Sequence, residues 1–262
     1  MKQVTIAVLL YGDHHELHQR CLTSILQTTP ADVPIRVGLN AVCEKTLKWL
    51  EDGRVTPQTL VPGTLGAGNP IHGVECDRFL FYSSRNQNIK KYPMMRRMFH
   101  DDPVTSSWVL WFDDDSYIKD PQSSWWSLIT GPKFFGNKRA RYIGEPWTAP
   151  YLNGQMDYVR SKSWYRGVKP HRGRDNRRQV RPRFKFHTGG FVGIRKGVIK
   201  ALDWPDPDLV HNGGDTLLGE AVRQQGWPIT PFPTRENGIV VNGAPRRGYR
   251  EKPAGSRMNV LR

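Results

Sequence analysis

Three consecutive aspartates, Asp113, Asp114 and Asp115, close the apolar run Ser107-Trp108-Val109-Leu110-Trp111-Phe112. Side chains alternate along an extended backbone, so Asp113 and Asp115 are expected on one side, with Asp114 directed elsewhere. Two carboxylates sharing one spot need a counter-charge. A hard divalent cation held through oxygen supplies it and leaves positions open for phosphate oxygens. The competing reading is an Asp-rich turn that caps a strand or opens a helix. The residues before the triplet, aromatic and β-branched types among them, read as a strand buried on both faces. In an open α/β sheet such a strand delivers functional groups at its carboxyl end.

The elements that must position this strand follow an alternating pattern. Residues 4–10 read as a first buried strand ending in Tyr11-Gly12-Asp13. A helix carrying Leu17, Cys21, Leu22, Ile25 and Leu26 follows, and Thr28-Thr29-Pro30 stops it. Residues 35–40 form a second strand and 44–50 a second helix, ended by Asp52-Gly53. This β-α-β-α order predicts a mainly parallel sheet with right-handed crossovers and ligands beyond the strand carboxyl ends, where Asp13 and Asn40 stand. Asp13 could equally cap the helix and Asn40 form an Asx turn. Residues 55–77, rich in Gly and Pro, read as a loop; 78–82 as a short strand; and a helix with Tyr92, Met95, Met98 and Phe99 runs to His100, with Arg96 and Arg97 on a solvated face. Residues 142–147 read as a short edge strand ended by Pro, and from Thr148 the periodicity fails. Phe186-His187-Thr188-Gly189-Gly190-Phe191-Val192 restores a strand, 196–202 a short helix, and Gly213-Gly214-Asp215 opens an amphipathic helix.

The triplet resembles the Asp-x-Asp signature of GT-A-fold glycosyltransferases, and the other motifs follow in that family's order. The resemblance implies a GT-A-like (Rossmann-like) α/β fold with a mainly parallel central sheet flanked by helices. It implies a single domain over 1–262, with a nucleotide-sugar-binding half at 1–120, an acceptor half at 121–245 and a basic tail at 246–262. Its cofactors would be Mn2+ or Mg2+ and a nucleotide-sugar, a UDP-sugar first among them. Asp113 and Asp115 would hold the metal, and Asp113 and Asp114 would face the donor. Asp13 and Asn40 would recognise the base, with Arg85, Asn86 and Lys91 directed towards the diphosphate. Gly189 and Gly190 match the strand that faces the sugar; beside them His187 either lines the site or is a hydrogen-bonded structural histidine. Asp215 matches the aspartate of the Glu-Asp helix start that serves as base in inverting members, and Gly214 stands where the glutamate would be. A third metal ligand would be His211, Asn242 or water.

Charge points to the partner. Of 39 Lys and Arg against 24 Asp and Glu, eleven basic residues fall between Arg160 and Lys185 with Asp175 alone opposing them. The tail from Arg246 to Arg262 adds six more, against Glu251. The remaining chain is balanced. A net charge of +15 concentrated in two stretches suggests a polyanion. An insertion at 159–185 carries Arg160, Lys162, Arg166, Lys169, Arg172, Arg174, Arg177, Arg178, Arg181 and Arg183, interleaved with Trp164, Tyr165, Phe184 and Phe186, and fits a phosphate backbone. The tail, with Arg246, Arg247, Arg250 and Lys252, suggests a closing segment. DNA is therefore the expected acceptor, and the chain is similar to phage enzymes that glycosylate hydroxymethylated pyrimidines, including those related to the base J glucosyltransferase. A glycan, lipid or protein acceptor is the alternative within the class. A metal-dependent nuclease or nucleotidyl transferase, and a non-enzymatic nucleic-acid binder, are alternatives outside it. No long apolar run and no signal-peptide profile occurs, so a cytoplasmic protein without a membrane span is expected. Cys21, Cys43 and Cys76 lack metal-type spacing and read as reduced thiols.

Overall fold

In the computed structural model the described residues are 3–51, 74–76, 79–84, 88–151, 155–174, 179–210 and 213–243. The amino-terminal half alternates as its periodicity predicts: β1 (Val4–Tyr11), α1 (His15–Thr28), β2 (Ile35–Asn40) and α2 (Glu44–Glu51). Next come β3 (Val74–Cys76), β4 (Phe79–Ser84), α3 (Lys91–Arg96) with a π-helical extension over Arg97–Asp101, and β5 (Trp108–Asp113). The short β6 (Tyr117–Ile118) and α4 (Trp125–Thr130) precede β7 (Tyr142–Pro150), α5 (Gln155–Arg160), β8 (His171–Arg174) and the long β9 (Val180–Arg195). The chain then forms α6 (Lys196–Leu202), α7 (Gly214–Gln224), β10 (Ile229–Pro231) and β11 (Ile239–Val240).

One sheet carries the fold in the order β10-β7-β9-β5-β1-β2-β4-β3, with β8 added to β9, while β11 and β6 form a separate pair. The block β5-β1-β2-β4 is parallel, as the βαβα pattern requires, and β9 runs antiparallel between β5 and β7. Strand alternation divides the core. On one face Ile6, Val8, Leu10, Leu110 and Phe112 pack with residues of α1, α2 and α4. On the other, Ala7, Leu9, Val109 and Trp111 pack with residues of α3, α6 and α7. Burial on both faces explains why these strands are continuously apolar.

Four sequence expectations fail here. The 142–147 stretch is no edge: β7 lies between β10 and β9 and continues through Pro150, with an irregularity between Gly144 and Pro146 that accommodates a residue lacking an N–H. Beyond Thr148, where the periodicity fails, regular strands nonetheless form, because Phe184 and Phe186 anchor β9 in the core while β8 pairs with its exposed end. The loop read at 55–77 contains β3, antiparallel to β4. Arg96, expected on a solvated face, instead bonds Asp203 at 3.1 Å. Among the described residues no helix is long and apolar enough to cross a membrane, and Cys21 and Cys43 are free thiols.

Candidate active site

β5 ends at Asp113, and the chain turns at once, with Ser116 N–H donating to the Asp113 carbonyl at 2.9 Å. The extended alternation expected to carry Asp113 and Asp115 to one side therefore stops at Asp113. Asp113 continues the Val109 and Trp111 face, towards α3 and α7, and the Trp111 indole N–H donates to its Oδ1 at 2.8 Å. Asp114 turns to α1, where His18 Nε2 stands 3.4 Å from its Oδ2. The three carboxylates are 9 %, 1 % and 4 % exposed, a dense negative centre in low dielectric. The Cys21 thiol feels this charge: burial pushes it up, and the carboxylates of Asp115 and Asp113 push it further.

A cation answers part of this charge. Lys91, at the start of α3, places Nζ 2.7 Å from Asp113 Oδ1 and 3.2 Å from the Gly189 carbonyl oxygen. A Cβ added to Gly189 would lie 3.2 Å from Lys91 Nζ and 3.7 Å from Asp215 Oδ2, so Lys91, Gly189 and Asp215 wall one space. Asp215 sits in the first turn of α7, whose N-cap is Gly213 at φ 86°; it is not itself the cap. Its Oδ1 accepts from Thr216 N–H at 2.9 Å. Burial pushes the Asp215 carboxyl above the usual carboxylate range, and the Lys91 ammonium pulls it back.

Gly214, the departure from the Glu-Asp pattern, has a packing cause. A Cβ there would come within 2.1 Å of the Tyr92 ring, so only glycine lets α3 and α7 approach and bring Lys91 beside Asp215. Gly190 is equally constrained, since its Cβ would meet Ser116 Oγ at 2.6 Å and Asn242 Oδ1 at 2.8 Å. Neither Tyr92 nor Ser116 stands out as a site residue in the sequence, because their partners Gly214 and Gly190 lie 122 and 74 residues away.

Asn40 and Asp13 occupy adjoining strand ends, Tyr11 pairing with Asn40 in the β1–β2 register. The Asn40 side chain donates to Asn88 Oδ1 at 3.0 Å and accepts from Ile89 N–H at 2.9 Å, so it fixes the segment that leads into Lys91. Asp13 is exposed. His187 takes the structural alternative: it is fully buried against Tyr142, 4.5 Å between ring centroids, and burial lowers its pKa to about 4. The insertion splits. Lys162 is withdrawn from the basic surface by Asp206 at 2.9 Å and Asp208 at 2.8 Å. Arg160 pairs with Asp157, and Arg166 bonds the Ser163 carbonyl. Lys169 is exposed, as are Arg172, Arg174 and Arg181, while Arg183 is half-buried on the β8–β9 hairpin. Arg85, Arg177, Arg178, His211 and the tail at 246–262 lie outside the described residues.

The residue types suit a hard cation, with carboxylates on Asp113 and Asp115 and neutral oxygens on Ser116 and Asn242 beside Gly190, while both Asp113 oxygens accept from Lys91. Among the described residues, however, no three His, Cys, Asp or Glu side chains converge on one metal position.

A mixed sheet with a parallel central block and helices on both faces is the architecture of GT-A-type glycosyltransferases, and the chain has that fold. A mannosyltransferase from Pyrobaculum calidifontis, solved with GDP-Man and Mn2+, is similar at a TM-score of 0.57 and 14 % identity, over 94 % of this chain and 58 % of that one. GalNAc-T7, solved with UDP, GalNAc and Mn2+, is similar at a TM-score of 0.54 and 11 % identity, over 86 % of this chain and 41 % of that one. The chain thus spans about half the length of these two structures. No protein-family model matches it, and no curated protein matches it in sequence.

Proposed function

We propose that the chain transfers a sugar from a nucleotide-sugar, a UDP-sugar by preference, to a hydroxyl group, with inversion, and that the acceptor is the hydroxymethyl group of a modified pyrimidine in DNA. The observation that carries the reading is the convergence of Asp113, Lys91, Gly189 and Asp215 at the carboxyl edge of the sheet. Gly189 presents backbone without a side chain, which lets the Lys91 ammonium approach beside Asp215. Asp215 takes the acceptor hydroxyl's proton as the oxygen attacks the anomeric carbon; the bond to the nucleotide diphosphate breaks, and the diphosphate departs with the bond's electrons. Lys91 is placed to answer negative charge on the donor side, and Asn40 keeps it there through the 88–90 segment. Asp113 and Asp115 would hold Mn2+ or Mg2+, which when bound neutralises the leaving diphosphate.

The DNA acceptor is supported by the hairpin arginines, whose repeated exposed charges suit a phosphate backbone. The test is mass spectrometry of nucleosides from DNA containing 5-hydroxymethylcytosine or 5-hydroxymethyluracil, after incubation with protein, Mn2+ and a panel of nucleotide-sugars. A hexose or pentose mass on either base is expected. Donor consumption without added mass would retain the transferase and remove DNA as its acceptor.

A further inference from the structure

Beyond the carboxylate centre, the extended end of the β7–β9 ribbon holds a second built feature. Trp147 is 58 % exposed, the largest exposed apolar side chain among the described residues, where Val168 and Val180 are the other two. It lines a cleft of about 350 Å³ with Pro146, Thr148, Arg183 and Lys185. Arg183 is held in place there: its Nε donates to Thr148 Oγ1 at 3.3 Å and a terminal nitrogen to the Thr148 carbonyl at 3.2 Å. Neither Arg183 nor Lys185 has an acidic partner among the described residues, in contrast to Lys162. Lys185 precedes Gly189 by four residues on β9, about 13 Å along the strand, so the cleft adjoins the proposed site of transfer.

An exposed indole costs water contact for no packing return, whereas a planar ring laid on it recovers that surface. Arg183 and Lys185, which line the same cleft, supply the anion partners that a phosphate on the same ligand requires. We propose that this cleft is a binding site for single-stranded nucleic acid, with Trp147 stacking one base and Arg183 and Lys185 holding its neighbouring phosphates. Arg172, Arg174 and Arg181 on the β8–β9 hairpin extend the track. An acidic glycan would satisfy the same cations, but the stacking partner that distinguishes a nucleic acid is a base with a flat π-face on both sides, and Trp147, the one prominent exposed aromatic among the described residues, lines the cleft with Arg183. The inference deepens the proposed function by naming how the acceptor is gripped, and it rests on that reading for its purpose.

The test is anisotropy of a labelled oligothymidylate and of labelled heparin with the wild type, Trp147→Ala, Trp147→Phe and Arg183→Ala. Trp147→Ala is expected to weaken oligonucleotide binding about five-fold or more, Trp147→Phe to retain most of it, and heparin binding to stay unchanged in both. Arg183→Ala is expected to weaken both ligands and flatten the salt dependence. Equal oligonucleotide affinity in Trp147→Ala, parallel losses for heparin, or a wild type that binds no oligonucleotide would each overturn the proposal. Donor turnover by the wild type is measured alongside: its absence with the stacking signature intact would remove the transferase reading and leave the nucleic-acid site standing.

Discussion

The carboxyl end of β5 and the outer end of the β7–β9 ribbon handle charge in opposite ways. At β5 charge is answered internally: the Lys91 ammonium stands on Asp113, and the His18 ring lies beside Asp114, all in buried or half-buried surroundings. On the ribbon, Arg183 and Lys185 are positioned by neutral neighbours or none and meet no carboxylate among the described residues. A centre with internal counter-charges is preorganised and low in reorganisation, which favours chemistry. A surface of unanswered cations is held ready for an external anion, which favours capture. On the proposed function, the difference separates catalysis in one region from acceptor binding in the other.

His187 tests the boundary, since it lies on β9 between Lys185 and Gly189. Its folded pKa, lowered to about 4 by burial, stands below the ordinary 6.5, so the unfolded chain binds the extra proton between those values. Stability from this group is complete above pH 6.5, falls as pH drops towards 4, and loses no more below that. The loss amounts to about 3 kcal/mol. Urea unfolding at pH 7 and pH 4.5 is expected to show it in the wild type, and His187→Asn to flatten that part of the profile. A slope unchanged by the substitution would detach His187 from the effect.

Lys162 sharpens the contrast within the basic segment. Asp206 is buried behind it, and Lys162→Met would leave that carboxylate without its cation, costing about 2 kcal/mol in line with a charged hydrogen bond. Oligonucleotide affinity is expected to change little. A variant with intact stability and lost DNA binding would place Lys162 with the ribbon arginines.

How legible each region was in the sequence follows from the same physics. β1 and β5 announce themselves because burial on both faces forces apolar runs, β2 through the alternation of Ile35, Val37 and Leu39, and Asp113 marks the end of β5. The outer halves of β7 and β9 are masked by Pro146, Pro150 and Pro182 and by arginines on exposed positions, so pairing partners rather than local pattern make them strands. Lys91 and Asp215 were each visible as motif positions. Their meeting depends on Tyr92 packing on Gly214, a contact across more than a hundred residues that no local periodicity encodes. Likewise nothing near Lys162 reveals Asp206, forty-four residues away.

The central claim is that Asp113 and Asp215 form one nucleotide-sugar transfer centre. Its most direct test measures release of nucleotide diphosphate from a panel of nucleotide-sugars with Mn2+ and acceptor DNA, for the wild type, Asp113→Asn and Asp215→Asn, with circular dichroism confirming the folded state. The account predicts turnover of one donor by the wild type, dependent on Mn2+, and a loss of about 10²-fold or more in each folded variant. Wild-type turnover that survives both substitutions, or no turnover of any donor, would contradict it.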